Sequence, residues 1–241
     1  MYLPRCKCLL MAVAFVLLTV LCLSAIADSL PPTPLTVAEI VEQMQHHNQA
    51  RRDALKDLHS IRHYLVEYRG FSAVTQARMD VEYQFDAATG KSFRIVTQSG
   101  PRFLCDKVLK RAIESEKEAA QENASTALTA ANYRFRLLGS ENLSGRTAYL
   151  LEVEPLVASK FLYKGKIWVD AADFALVKID AEPAKNPSFW IAHTHILQTF
   201  AKTGDFWLPE LNRSQTKVRI GGTALFTIDY GSYQVESRPV H

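Results

Sequence analysis

An α+β fold built on one large, curved antiparallel sheet is what this sequence predicts, and three observations predict it. From about residue 60 onward apolar side chains recur with period two, segment after segment, between turns rich in Gly, Asp and Ser. Two segments carry the helical period, and no long helix separates successive strands after them, which excludes a doubly wound parallel sheet. The chain has 241 residues, 48% of them hydrophobic, enough for one core without demanding a second. A sheet of about ten strands tends to curl, and helices must then cover its concave face.

Residues 1–27 read as an export signal. Arg5 and Lys7 precede the uncharged apolar run Leu9–Leu23, and Ala25-Ile26-Ala27 offers a small-residue cleavage site. Leu9–Ala27 is also long enough to serve as an uncleaved inner-membrane anchor. Asp28–Leu35, DSLPPTPL, is a proline-rich linker. A single domain over 36–238 follows.

Thr36-Val-Ala-Glu39 has the form of a capping box, in which each side chain serves an orphan N–H of the other. The stripe Val37, Ile40, Val41, Met44, with Leu55 and Leu58 returning to the same side, predicts a helix from Thr36 to Leu58. His46, His47, Arg51 and Arg52 read as its solvated face. Adjacent His46 and His47 point about 100° apart and cannot share a metal there.

Ile61–Arg69 puts Tyr64, Val66 and Tyr68 on one side of a strand. Ala73–Phe85 alternates Met79, Val81 and Tyr83 with Arg78, Asp80 and Glu82, and Lys91–Gln98 does the same with Phe93 and Ile95. Phe103–Glu122 interrupts this meander as an amphipathic helix, with Leu104, Val108, Leu109, Ala112 and Ile113 on one stripe. Further strands are predicted at Tyr133–Leu138, Arg146–Glu154, Lys160–Asp170, Phe174–Glu182, Ile191–Ala201, Phe206–Val218 and Thr223–Val235. The hairpin at Asp170-Ala-Ala-Asp173 is the clearest, since Asp bonds its own backbone in turns. Ile167, Trp168, Val169, Val177 and Ile179 suit a pleated surface there.

Composition excludes several functions. Without Arg5 and Lys7 the exported chain carries 26 basic against 25 acidic residues, which gives no case for nucleic acid. Cys6, Cys8 and Cys22 fall in the leader, so Cys105 alone remains and no internal disulfide is available. No nucleophile elbow, phosphate loop, dinucleotide fingerprint or zinc-protease helix is present. His193 and His195 share one strand face at a spacing that suits a metal, yet a third ligand is not evident. Asp170, Asp173, Asp180 and Glu182 read as turn-forming and solvent-facing groups. No catalytic residue, cofactor or metal is therefore assigned. What remains is apolar surface without chemistry, compatible with a hydrophobic container and equally with an ordinary filled core.

The order of several segments resembles the periplasmic outer-membrane lipoprotein-sorting, or LolA-like, carriers. The likeness rests on the Thr36–Leu58 helix running into a Tyr-rich strand. It rests also on Leu138-Gly-Ser-Glu-Asn-Leu-Ser-Gly-Arg-Thr-Ala-Tyr149 before Leu151-Glu-Val-Glu-Pro155, and on Lys166-Ile-Trp-Val-Asp170 before Leu176-Val-Lys-Ile179. The resemblance implies an unclosed β-barrel with helices over its mouth. It further implies a non-enzymatic periplasmic carrier that binds acyl chains of lipoproteins or other lipids for transfer towards the outer membrane. An envelope sensor or scaffold that binds a partner protein is the alternative. The cavity would be lined by Tyr64, Val66, Tyr68, Met79, Val81, Tyr83, Phe93, Ile95, Ile167 and Val169. Val37, Ile40, Val41 and Met44, with Leu104, Val108 and Leu109, would form the lid. A mouth loop with Pro183, Pro187, Phe189 and Trp190 would meet cargo or acceptor. Acylated lipoproteins or lipids are the expected partners of a monomer, along with envelope donor and acceptor proteins and transient membrane contact.

Overall fold

Thr36 closes the predicted capping box. Its hydroxyl accepts from the Glu39 N–H, and the Glu39 carboxylate accepts from the Thr36 N–H at 2.7 Å. Helix α1 follows, Val37–Ala54, with Ile40, Val41, Met44 and Ala54 buried. The computed structural model describes residues 34–70, 73–186, 188–219 and 221–239. The leader 1–27, most of the linker 28–35 and Pro187 lie outside the described residues.

The helix ends four residues earlier than its apolar spacing predicts. Leu55 is already extended, and β1 runs Leu55–Arg69. Leu55 and Leu58 fit either period, and backbone pairing decides between them. Asp57–His59 bond β2 on one side, and Leu55–His59 bond β11 on the other.

The strands are β1, β2 (Val74–Asp86), β3 (Gly90–Ser99), β4 (Tyr133–Leu143), β5 (Arg146–Pro155), β6 (Tyr163–Asp170), β7 (Leu176–Pro183), β8 (Ile191–Thr203), β9 (Phe206–Val218), β10 (Thr223–Asp229) and β11 (Gln234–Ser237). They form one antiparallel sheet in the order β3-β2-β1-β10-β9-β8-β7-β6-β5-β4, with β11 continuing beside β1. The edges β3 and β4 do not pair with each other, so the sheet is not closed. The predicted strand Thr223–Val235 is broken into β10 and β11. Gly231 has φ 62°, and a β-carbon there would sit 2.4 Å from the Ile61 carbonyl oxygen. Only glycine lets the chain step aside at that point.

Between β3 and β4 lies the second helical segment. It comprises α2 (Arg102–Leu104), a π turn over Cys105–Leu109, α3 (Lys110–Gln121) and the short α4 (Asn123–Thr126). Sequence periodicity does not reveal the π turn, which inserts one residue into the helical ladder. Leu104, Cys105, Leu109 and Ile113 are buried against Tyr64, Val66, Ala77, Met79 and Val81, with Val108 and Ala112 packed at the margin.

Three contacts show that the sheet is curled. Arg51, four residues before β1 begins, donates to the Asp173 carbonyl at the β6–β7 turn. β1 and β6 are five strands apart, so a flat sheet would separate them by about 24 Å at roughly 4.8 Å per strand. Segment 102–121 likewise reaches both wings, through Arg62–Glu116 at 2.8 Å and Lys160–Glu118 at 2.8 Å.

Candidate functional site

Directly opposed residues of antiparallel strands share a face, so the register traces the covered side of the sheet. One row crosses it from edge strand β4 to β2. Leu137 faces Leu151, then Ile167, Ile179, Gln198 and Asn212 follow, and Ile228, Tyr64 and Met79 complete it. Tyr64, Val66, Met79 and Val81 of the predicted lining therefore stand on the same face as Ile167. Val169 lies on that face too, opposite Tyr149.

Burial varies along this face in an informative way. Leu151, Ile167 and Ile179 are buried in one wing, as are Tyr64, Met79 and Ile228 in the other. Between them Ile196, Gln198, Asn212, Ser214 and Phe226 are half-buried. The floor of the central strands is partly polar, with Asn212 donating to the Gln198 carbonyl oxygen at 3.2 Å and Thr194 bonded to Thr216 at 3.0 Å.

Over β1–β3 the side chains Leu104 and Leu109, expected as part of a lid, pack in one buried cluster with Tyr64, Val66, Met79 and Val81 of the predicted lining. Tyr83 packs edge-on to Phe93 with centroids 5.2 Å apart, and Tyr68 is half-buried with its hydroxyl donating to the Gly221 carbonyl. Ile95 lies on the same face beside Val81, but edge strand β3 leaves it 40% exposed.

Arg62 is not among the residues that apolar periodicity singles out. It occupies an inward position of β1, two residues from Tyr64, and its side chain is 4% exposed. Its guanidinium lies 3.5 Å from the Tyr83 ring centroid and 5.0 Å from that of Tyr230, and Nη1 donates to Glu116 of α3. Burial opposes the charge, but Glu116 and the surrounding phenols outweigh it and hold the Arg62 pKa above its ordinary value. The same burial pushes the Tyr83 hydroxyl up to about 12 and the Tyr230 hydroxyl well above its usual range. A lone charged residue at the inward phase of an apolar strand is the signal that marks Arg62.

Helix α1 leaves space where segment 102–121 does not. A groove of about 520 Å³ lies between α1 and the start of β4, walled by Val37, Ala38, Val41, Ala130, Tyr133 and Phe135, with Glu42, Gln45 and His46 at its lip. Ligand pockets commonly hold about 300–1,000 Å³. The far end of α1 is fastened. The His47 ring stacks on Phe174 at 5.5 Å, Phe174 stacks on Tyr149, and Arg51 meets Asp173. His47 and Arg51 are thus half-buried, a correction to the solvated face expected of them.

The β6–β7 turn that meets α1 is held by its own side chains. Asp170 accepts from the Ala172 and Asp173 N–H groups, as a turn-forming Asp should, but it is buried rather than solvent-facing and pairs with Arg146 at 2.6 Å. Asp173 accepts from Arg146 Nη2 as well, at 2.9 Å, and from Lys202 and the Trp207 indole. Phe174 adopts φ 47°, unusual for a non-glycine residue.

At the lower end of the strands the expected mouth loop exposes Phe189 (75%) and Trp190 (55%), while Pro183 ends β7. His193 and His195 lie on the outer surface beside Glu182 and Asp180, at 3.1 and 2.8 Å. Among the described residues no group of three or more His, Cys, Asp or Glu is placed to hold a metal ion, and no helix is long and apolar enough to cross a membrane. Cys105 is buried, with its thiol near the Ser99 and Gly100 carbonyls.

No protein-family model and no curated protein sequence matches the chain. Solved structures do. A DUF1329 family protein from Desulfovibrio piger is 12% identical with TM-score 0.41, covering 82% of this chain and 92% of its own. A putative outer membrane lipoprotein-sorting protein domain from Vibrio parahaemolyticus is 15% identical with TM-score 0.38, covering 81% and 92%. A LolA superfamily protein from Nitrosomonas europaea is 12% identical with TM-score 0.34, covering 86% and 96%. The likeness is one of fold alone.

Proposed function

We propose that this protein is a non-enzymatic carrier of acyl chains, exported to the periplasm by a cleaved leader 1–27 and folded as a single domain over 36–238. The observation that carries the reading is the apolar groove between α1 and β4, continuous in chain order with a helix whose Ile40 and Met44 are fully buried. Burying a methylene gains about 0.8 kcal/mol, so a chain of about 16 carbons gains on the order of 12 kcal/mol on leaving water. Such cargo does not cross an aqueous space unaided, and a groove beside a displaceable helix makes it soluble. The half-buried central floor extends the space open to cargo beyond the groove. The lipid or the lipid-modified protein then leaves for a competing apolar host, and the exposed Phe189–Trp190 loop is the contact with an acceptor or a membrane surface.

The test is native mass spectrometry of the exported protein, followed by titration with a fluorescent long-chain lipid. Bound acyl material, and probe binding that Ala38→Glu, at an exposed position of the groove wall, weakens without lowering the melting temperature, is the expected result. A groove that stays empty when lipid and acylated protein are offered sinks the reading. Retention of an envelope protein by lipid-free material would favour the sensor instead.

A further inference from the structure

Three polar atoms on successive inward positions of β1 have no hydrogen-bond partner among the described residues: Ser60 Oγ, Arg62 Nε and Tyr64 OH. All three residues are more than nine-tenths buried. Buried polar groups are nearly always satisfied, and an unsatisfied set calls for a ligand or another explanation. A guanidinium Nε–H only donates, and both hydroxyls can donate as well as accept, so one incoming acceptor can serve all three. The acceptor now facing the trio's strand is Glu116, which takes Arg62 Nη1 at 2.8 Å and also lies 3.8 Å from Lys91. Glu116 belongs to the covering segment and moves with it.

We infer that the trio Ser60, Arg62 and Tyr64 is a binding site for the anionic oxygen head group, carboxylate or phosphate, of a single-chain amphiphile. The inference rests on the carrier reading and narrows its ligand. When segment 102–121 lifts from β1, Glu116 leaves Arg62 and would strand a buried cation. An incoming head group restores the pairing, using the planar guanidinium that suits carboxylate and phosphate oxygens. Tyr83, Phe93 and Tyr230 surround the cation and keep solvent from competing. The alkyl chain runs over Val66, Met79 and Val81, which Leu109 and Ile113 cover in the closed form.

Calorimetric titrations of the full exported chain with dodecanoate, dodecanol and inorganic phosphate separate the possibilities. The proposal expects dodecanoate to bind about tenfold tighter than dodecanol, as charge-assisted hydrogen bonds imply, with phosphate alone far weaker. Arg62→Met should erase the preference for dodecanoate while dodecanol still binds. Glu116→Gln, which removes the competing carboxylate and loosens the covering segment, should strengthen both amphiphiles and dodecanoate about tenfold more than dodecanol. If Arg62→Met does not fold, the double variant Ser60→Ala, Tyr64→Phe takes its place. It removes two unsatisfied donors, folds at least as stably, and should reduce the preference. Equal binding of dodecanoate and dodecanol by the natural chain, or a preference untouched by these variants, overturns the head-group site. Tight binding of inorganic phosphate alone also overturns it, marking a free-anion site. Failure of both amphiphiles to bind at all overturns the carrier reading itself.

Discussion

Two amphipathic segments cover this sheet, and they do so differently. Segment 102–121 is stapled to both wings by Arg62–Glu116 and Lys160–Glu118, and its stripe Leu104, Leu109 and Ile113 sits within a continuous buried cluster. Helix α1 is fastened at its C-terminal end by His47 on Phe174 and Arg51 on Asp173, while its N-terminal half borders a groove of about 520 Å³. A segment that fills its space must be displaced before a ligand enters beneath it. One that borders free space can admit a ligand with small movement. Interiors are close-packed and do not deform continuously, so the difference sets which cover yields first.

Substitutions measure the contrast, beginning with the largest effect. Leu109→Ala empties a fully buried position and should lower unfolding free energy by about 3 kcal/mol. Val37→Ala, at the groove wall, should change it by less than about 0.5 kcal/mol. Denaturant titration of the two variants checks this, and equal losses would erase the distinction between the covers.

The next effect concerns the staple. Breaking a fully buried ion pair by removing one partner costs roughly 3–5 kcal/mol. The Glu116 side chain is 28% exposed, so Glu116→Gln should cost about 2 kcal/mol. Hydrogen exchange should rise in 102–121 and remain unchanged in α1. Faster exchange in both segments would mean that the covers open together.

The smallest effect is a pH dependence. Burial raises the folded-state pKa of Tyr64, Tyr83 and Tyr230 beneath segment 102–121, Tyr83 to about 12. Their neutral forms are favoured by folding, so this stabilisation is complete below the unfolded tyrosine pKa of about 10 and is lost as pH rises towards 12. Beside α1, Tyr133 is also raised to about 12. Alkaline exchange should therefore open 102–121, with its three phenols, before the α1–β4 groove. Tyr83→Phe should flatten the fall in stability between about pH 10 and 12, and an unchanged slope would place the titration elsewhere.

Much of the fold was legible in residue order. The capping box at Thr36, the period-two alternation of β2, the Asp170 turn and the stripe on 102–121 are local patterns, and each forms as its pattern requires. The spacing of Leu55 and Leu58 fits both periods, and the pairing of this segment with β2 and, across 180 residues of chain, with β11 makes it a strand. The site was less legible. Tyr64, Val66, Met79 and Val81 were identified by phase as one face, whereas Arg62 and Glu116, 54 residues apart, carry no local sign of meeting. The α1–β4 groove joins the first helix to a strand some ninety residues later, and Phe135 and Ala130 went unremarked for the same reason.

The sequence by itself determined which faces are apolar and where the chain turns, because side-chain period and turn chemistry act over a few bonds. The curl of the sheet decided the rest. It brought the β6–β7 turn to the end of α1, set Glu116 over Arg62, and left one cover packed solid and the other beside open space. Such proximities depend on accumulated strand twist and on long-range packing, which no short window of residues contains.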